Sequence, residues 1–156
     1  MSSKEDVATL EAELDRVLSA LLDASHGGRT TLRIDDPARG WNVDFICAQA
    51  VKPGVKSLRG DGSIPQRASP TVVWMVKNRR NLVQPDLLNK PDPAPPPALM
   101  GVYAAKAQML APLFNQAGEL QGWISVHYVD ATHDFTGDEI AALDRAAAEV
   151  KRLTGI

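Results

Sequence analysis

The chain of 156 residues has one cysteine, Cys47. A lone cysteine cannot close an intramolecular disulfide, which fits a reducing compartment. Its setting, "NVDFICAQAV", reads as a strand in which a small buried hydrophobe is the ordinary role of the residue. Long hydrophobic runs are absent as well. No segment approaches the roughly 18 apolar residues that cross a bilayer, so no membrane partner is expected. The opening "MSSKEDVATLEAEL" is acidic and amphipathic, without the apolar centre of a signal peptide. Together these features read as a cytoplasmic protein. Dense Lys and Arg runs are missing too, and the net charge is −2. Nucleic-acid capture draws on a basic stripe, so no nucleic acid is expected. The three histidines, His26, His127 and His133, fall in different elements without metal-ligand spacing, so neither metal nor cofactor is expected.

What remains is an ordinary folded composition, 44% hydrophobic and 23% charged, which suits one domain spanning 1–156. Val7, Leu10, Leu14, Val17, Leu18, Leu21 and Leu22 recur at helical spacing, and "SHGG" offers a stop in which glycine takes the left-handed cap. "RTTLRID" and "NVDFICAQAV" follow as strands around the turn "DPARG". Ser69–Pro70 opens a second helix. "NLVQP" is a short strand, "DLLNKPDPAPPPAL" a stiff Pro-rich loop, and 98–104 a short helix. A hairpin around "NQAGEL" comes next. Thr136 and Glu139 form a capping box at the head of the last helix, with Phe135 and Ile140 stapled around it. Helices at both ends of the chain suit an α+β sandwich, packed on one face of an antiparallel sheet.

Three segments resemble the GAF domain family. "APLFNQAGELQGWISVHY" is similar to its penultimate hairpin and "HDFTGDEIAALDRAAAEV" to its closing helix. "RGDGSIPQRASPTVVWMVKNRRNLVQPDLL" is similar to its middle segment, a Gly-containing loop leading into a helix and short strand. The resemblance spans nearly the whole chain. It implies a stand-alone GAF-like protein with a central antiparallel sheet of five or six strands. The terminal helices would lie on one face, and a ligand pocket covered by helix and loops on the other. The family includes cyclic-nucleotide, bilin, haem, metal and metabolite sensors and at least one reductase. The single cysteine departs from the reductases, whose chemistry uses several. A bilin photoreceptor needs a thioether cysteine in the pocket region, and Cys47 stands on an early strand.

If "NQAG" is the turn, Phe114 pairs with Glu119, and Leu110, Gln108 and Lys106 face Trp123, Ser125 and His127. Strand alternation puts these six on one side and Met109, Ala111, Leu113, Ile124, Val126 and Tyr128 on the other. The apolar side should pack on the terminal helices and the mixed side should face the pocket. Above it the loop "SLRGDGSIPQRAS" brings Arg59, Asp61, Ser63, Gln66 and Arg67, whose arginines could clamp a carboxylate or phosphate. Trp74 and Trp41 either line the cavity or belong to the core.

These residues form the expected binding set for a small anionic or polar ligand. Three functions stay open. One is a small-molecule-binding module. The second is an enzyme using His127, Lys106 and Asp61 for acid–base chemistry on a polar carboxylate or heterocyclic catabolite. The third, compatible with either, is a homodimer through the terminal helices.

Overall fold

The computed structural model describes residues 3–156. Helix α1 (Lys4–Ser25) starts at a reciprocal cap: the Ser3 hydroxyl accepts from the Asp6 amide, and the Asp6 carboxylate accepts from the Ser3 amide. Glu5 and Asp6 also place negative charge at the positive end of the helix dipole. The same device opens α4 (Gly137–Thr154), through Thr136 and Glu139. The stop of α1 differs from expectation. His26, not a glycine, takes the left-handed conformation, at φ 60°. Gly27 is there for closeness instead, since a Cβ on it would lie 2.7 Å from Cγ1 of Val126.

Five strands form one antiparallel sheet. They are β1 (Arg29–Ile34), β2 (Ala48–Val51), β3 (Leu82–Gln84), β4 (Ala107–Phe114) and β5 (Leu120–Tyr128), in the order β2-β1-β5-β4-β3. β2 is shorter than the expected strand, because 42–46 run as turns with the Val43 amide tied to the Asp35 carboxylate. Helices α1 and α4 lie side by side on one face. Their stripes, Leu14, Leu18 and Leu21 with Leu143, Ala146 and Val150, bury against Leu32, Ile34, Met109, Ala111, Ile124 and Val126. Each of these strand residues alternates with a polar or mixed neighbour on the opposite face, as period two requires. The opposite face is roofed by α2 (Pro70–Asn78), α3 (Pro97–Met100), the loop 52–69 and the proline-rich segment.

The β4–β5 register differs from the expected one. Gln108 pairs with His127, Leu110 with Ser125, Pro112 with Trp123 and Phe114 with Leu120, a slide of two residues over most of the ladder. A bulge beside Leu113 and Phe114 absorbs the irregularity near the turn. The turn is held by Asn115, whose Oδ1 accepts from the amides of Ala117 and Glu119, and by Gly118 at φ 79°. A slide of one residue would have exchanged the two faces; a slide of two preserves them. The face assignment therefore survives although the pairing does not.

Candidate functional site

The roofed face of the sheet encloses a cavity of about 40 Å³. All its lining residues except Pro96 are buried. Its floor is built from alternate positions of β1, β5 and β4, which the register sets in rows. Arg29 stands opposite His127, Thr31 opposite Ser125 and Arg33 opposite Trp123, with Gln108 beyond His127. Its roof brings Leu58 and Ile64 from the loop 52–69, Val72 from α2, and Pro96 and Leu99.

Two buried arginines stand on this face of β1, and Arg33 lines the cavity. Arg29 is fully buried, and its guanidinium donates to His127 Nδ1 (2.9 Å), the Lys56 carbonyl (2.7 Å) and the Tyr103 carbonyl (3.1 Å). Arg33 is 4% exposed and donates one Nη1 hydrogen bond, to the Val43 carbonyl at 2.8 Å. Among the described residues, no carboxylate ion-pairs with either. Burial lowers both to about 10, still far enough above neutrality for both to remain charged. A buried charge normally has a partner of opposite sign, because desolvation is costly. Arg29 is met by three neutral acceptors. Arg33, which lines the cavity, leaves Nε and Nη2 without a protein acceptor among the described residues; no fully enclosed side-chain polar atom there lacks a partner, so these nitrogens open onto the cavity, where water can reach them.

Arg29 also fixes the state of His127. A guanidinium only donates, so Nδ1 of His127 must be the unprotonated nitrogen, and Nε2 carries the hydrogen. Burial, then the charges of Arg29 and Arg33, hold the imidazole well below its ordinary range, so it stays neutral. Nε2–H has no protein acceptor among the described residues, and the ring lines the cavity. The hydroxyls of Thr31 and Ser125 line it too, again without a protein partner. Gln108 Nε2 donates to Gln84 Oε1 (2.8 Å), and Gln84 Nε2 to the Pro93 carbonyl (2.7 Å), which ties the floor to the proline-rich segment.

Of the residues expected from sequence, Gln66, Gln108, Trp123, Ser125 and His127 line this cavity. The others do not. Lys106 lies just before β4, and its Nζ donates to the Asp130 carbonyl (3.2 Å) at the end of the sheet. Arg59 reaches outward to Asp15 at 3.3 Å. Arg67 pairs with Asp35, donates to the Leu120 carbonyl and lies over the Trp123 ring. Asp61 accepts from Ser63 and from the Tyr103 hydroxyl, which keeps its carboxyl depressed to about 2. Ser63 is turned to that same carboxylate. Gly60, at φ 82°, serves the tight turn in which the Asp61 amide meets the Leu58 carbonyl. Asp61 and Ser63 satisfy each other within the loop, while Arg59, Arg67 and Asp61 find partners on neighbouring elements at its edge. Trp74 is partly buried in a second cluster, beneath the Arg80 guanidinium. Trp41 belongs to the core under the helices and donates to Glu11.

Arg29, Thr31 and Arg33 stand outside the set expected from sequence. Their signal was legible: in "RTTLRI" the residues Arg, Thr and Arg alternate with Thr, Leu and Ile, so one face of a central strand must bury two guanidinium groups. Cys47 is on the helix side, 3.6 Å from the Leu32 carbonyl, and burial raises its thiol to about 12. Among the described residues no set of His, Cys, Asp and Glu could hold a metal ion, and no helix is long and apolar enough to cross a membrane.

No protein-family model matches the chain, and no curated protein matches it in sequence. Solved structures do match it in fold. The GAF domain of PixJ from Thermosynechococcus elongatus, in its blue-light absorbing form, superposes with a TM-score of 0.70 at 13% identity, covering 95% of this chain and 88% of that one. The GAF domain region of a protein from Geobacter sulfurreducens gives 0.68 at 17% identity, over 95% and 94%. The GAF domain of an Acinetobacter phosphoenolpyruvate-protein phosphotransferase gives 0.68 at 13%, over 97% and 87%. The chain therefore has a GAF-like α+β fold. The expectation drawn from the hairpin, the closing helix and the middle segment holds at that level.

Proposed function

We propose that this chain is a binding module for a small anion, held in the cavity over the β1–β5 floor. The observation that carries the reading is Arg33: a buried, charged guanidinium on the cavity wall with two nitrogen sites unmatched by protein. Arg29 adds a second charge beside His127, and no Asp or Glu among the described residues lines the cavity. Asp61 and Asp44 bear on Arg33 only from beyond ion-pair distance, and an anion in the cavity would supply a direct charge partner.

The geometry favours binding over acid–base catalysis. A base at the cavity would need a free lone pair, and the His127 lone pair at Nδ1 is held by Arg29. Lys106 and Asp61, the other catalytic candidates, are engaged elsewhere. A large chromophore is also disfavoured, since drug-sized ligands occupy roughly 300–1,000 Å³ and the cavity is about 40 Å³.

A homodimer through α1 and α4 is part of the proposal. Most of their apolar stripes are used inside the fold. What faces outward is a shallow groove with Val17, Ala20 and Ala24, rimmed by Arg145 and Glu149. Opposite charges on one rim let a twofold axis bring each against its complement in a second copy.

The test is calorimetric titration of the wild type and Arg33→Met with sodium acetate and sodium phosphate. Saturable binding of at least one anion, lost in Arg33→Met, supports the reading. No saturable heat from either salt, or equal binding by the variant, overturns it.

A further inference from the structure

We infer that the anion is a short monocarboxylate with an apolar tail, bound carboxylate-down on the β1–β5 floor. This rests on the anion reading above and narrows it. The cavity is asymmetric in chemistry. Most of its open hydrogen-bond donors among the described residues are on the floor: Arg33 Nε and Nη2, the hydroxyls of Thr31 and Ser125, and His127 Nε2–H. Thr31 and Ser125 are direct cross-strand partners, one step from the Arg33–Trp123 pair and one from the Arg29–His127 pair on the same face. These donors therefore form a contiguous patch.

The roof is different. Leu58, Ile64, Val72, Pro96 and Leu99 present hydrocarbon. Its polar groups are turned to one another. Ser69 Oγ and Thr71 Oγ1 lie 2.9 Å apart, leaving at most one hydroxyl hydrogen to spare, and Gln66 Nε2 donates to the Ile64 carbonyl at 3.1 Å. Gln66 keeps its Oε1 acceptor and the second hydrogen of Nε2, so the roof offers few donors beside the cluster on the floor.

A ligand must match both halves. Phosphate and sulfate carry acceptor oxygens in every direction, so some would meet the hydrocarbon roof without a donor, which costs binding energy. A dicarboxylate would put its second charge there. A monocarboxylate has both oxygens on one side and carbon on the other. Bidentate pairing of its oxygens with Arg33 fits the planar fork of the guanidinium, and the hydroxyls of Thr31 and Ser125 supply further donors. The volume of about 40 Å³ confines the tail to a few atoms.

Titration of the full chain with acetate, propionate, butyrate and hexanoate, beside phosphate, sulfate and succinate, tests this. Affinity should rise by about fourfold per methylene buried through the short members and then fall at hexanoate. Ile64→Ala, and Val72→Ala if the first does not fold, should move the preferred chain length upward by enlarging the roof. Phosphate or sulfate binding as tightly as the best carboxylate would overturn the monocarboxylate assignment while leaving the anion reading intact. So would a flat response to chain length, or an unchanged preference in a folded roof variant. No binding of any of these anions would overturn both readings together.

Discussion

Protonation of His127 should destabilise the fold, and the size of the effect follows from its surroundings. The ring is 3% exposed. Arg29 donates to its Nδ1, and Arg29 and Arg33 on β1 are the charges that bear on it. Lys56 and Tyr103 close the same corner around Arg29. In the unfolded chain the imidazole returns to about 6.5. Its folded value is well below that, so the unfolded state takes up the proton first as pH falls. The contribution is therefore fully present above about pH 6.5 and is lost progressively toward the folded value. One proton gives a slope of about 1.4 kcal/mol per pH unit, so between pH 7.5 and 5.0 the loss approaches a ceiling of about 2 kcal/mol.

His127→Gln isolates this term, because the Gln oxygen can still accept from Arg29 Nε while the side chain does not titrate. Urea unfolding of both proteins at pH 7.5 and 5.0 gives the comparison. The difference in stability between wild type and variant should shrink or reverse at the lower pH by up to about 2 kcal/mol. Other groups, such as the depressed carboxyls of Asp61 and Glu139, cancel in that difference. A variant whose pH dependence parallels the wild type would refute the argument that His127 is held neutral by the two arginines.

Ile124, fully buried between β5 and the helices, should lose roughly 2–5 kcal/mol on truncation to Ala, read as a shift in urea midpoint at constant m-value; a loss under 1 kcal/mol would mean that the helix-side core is misassigned. Gly122→Ala places a Cβ 2.2 Å from the Arg33 carbonyl oxygen and 3.0 Å from Ile34 Cα, contacts with backbone that cannot swing aside, so melting temperature should fall sharply and anion binding with it. His127→Ala leaves Arg29 Nε without an acceptor in a dry site, so it should cost roughly 1–3 kcal/mol, more than a mere lining residue would. Light scattering at micromolar concentration should give a dimer, and Ala20→Glu, which places charge in the outer groove of α1 and α4, should give a monomer of unchanged melting temperature. A wild type already monomeric there would sink the dimer.

The layers were legible in the amino-acid sequence. Stripes at helical spacing, the capping box of Thr136 and Glu139 and the period-two alternation in "KAQMLAPLF" and "LQGWISVHY" fix which side chains must be covered, and any packing that covers them gives helices on one face of a sheet. Even the wrong hairpin register kept the faces right, because an error of two residues leaves parity unchanged. The reversal at His26 was beyond such reasoning: a glycine is permitted φ > 0, and only the close approach of Gly27 to Val126 and of Gly28 to Val129 shows that the two glycines serve contact instead.

The site was decided by tertiary structure. Lys106, Arg59 and Arg67 look in sequence like anion ligands, yet each finds a carbonyl or carboxylate outside the cavity. A flexible charged side chain near the surface takes the nearest partner that leaves it hydrated. Arg29 and Arg33 had no such freedom. Placed on the central strand β1, opposite His127 and Trp123 and beneath the loop 52–69, they are buried by the same alternation that puts Leu32 and Ile34 into the core. Periodicity marks them as inward-facing, but their cation-rich corner exists because β5, which begins at Leu120, far beyond the end of the second helix at Asn78, inserts beside β1 in the sheet.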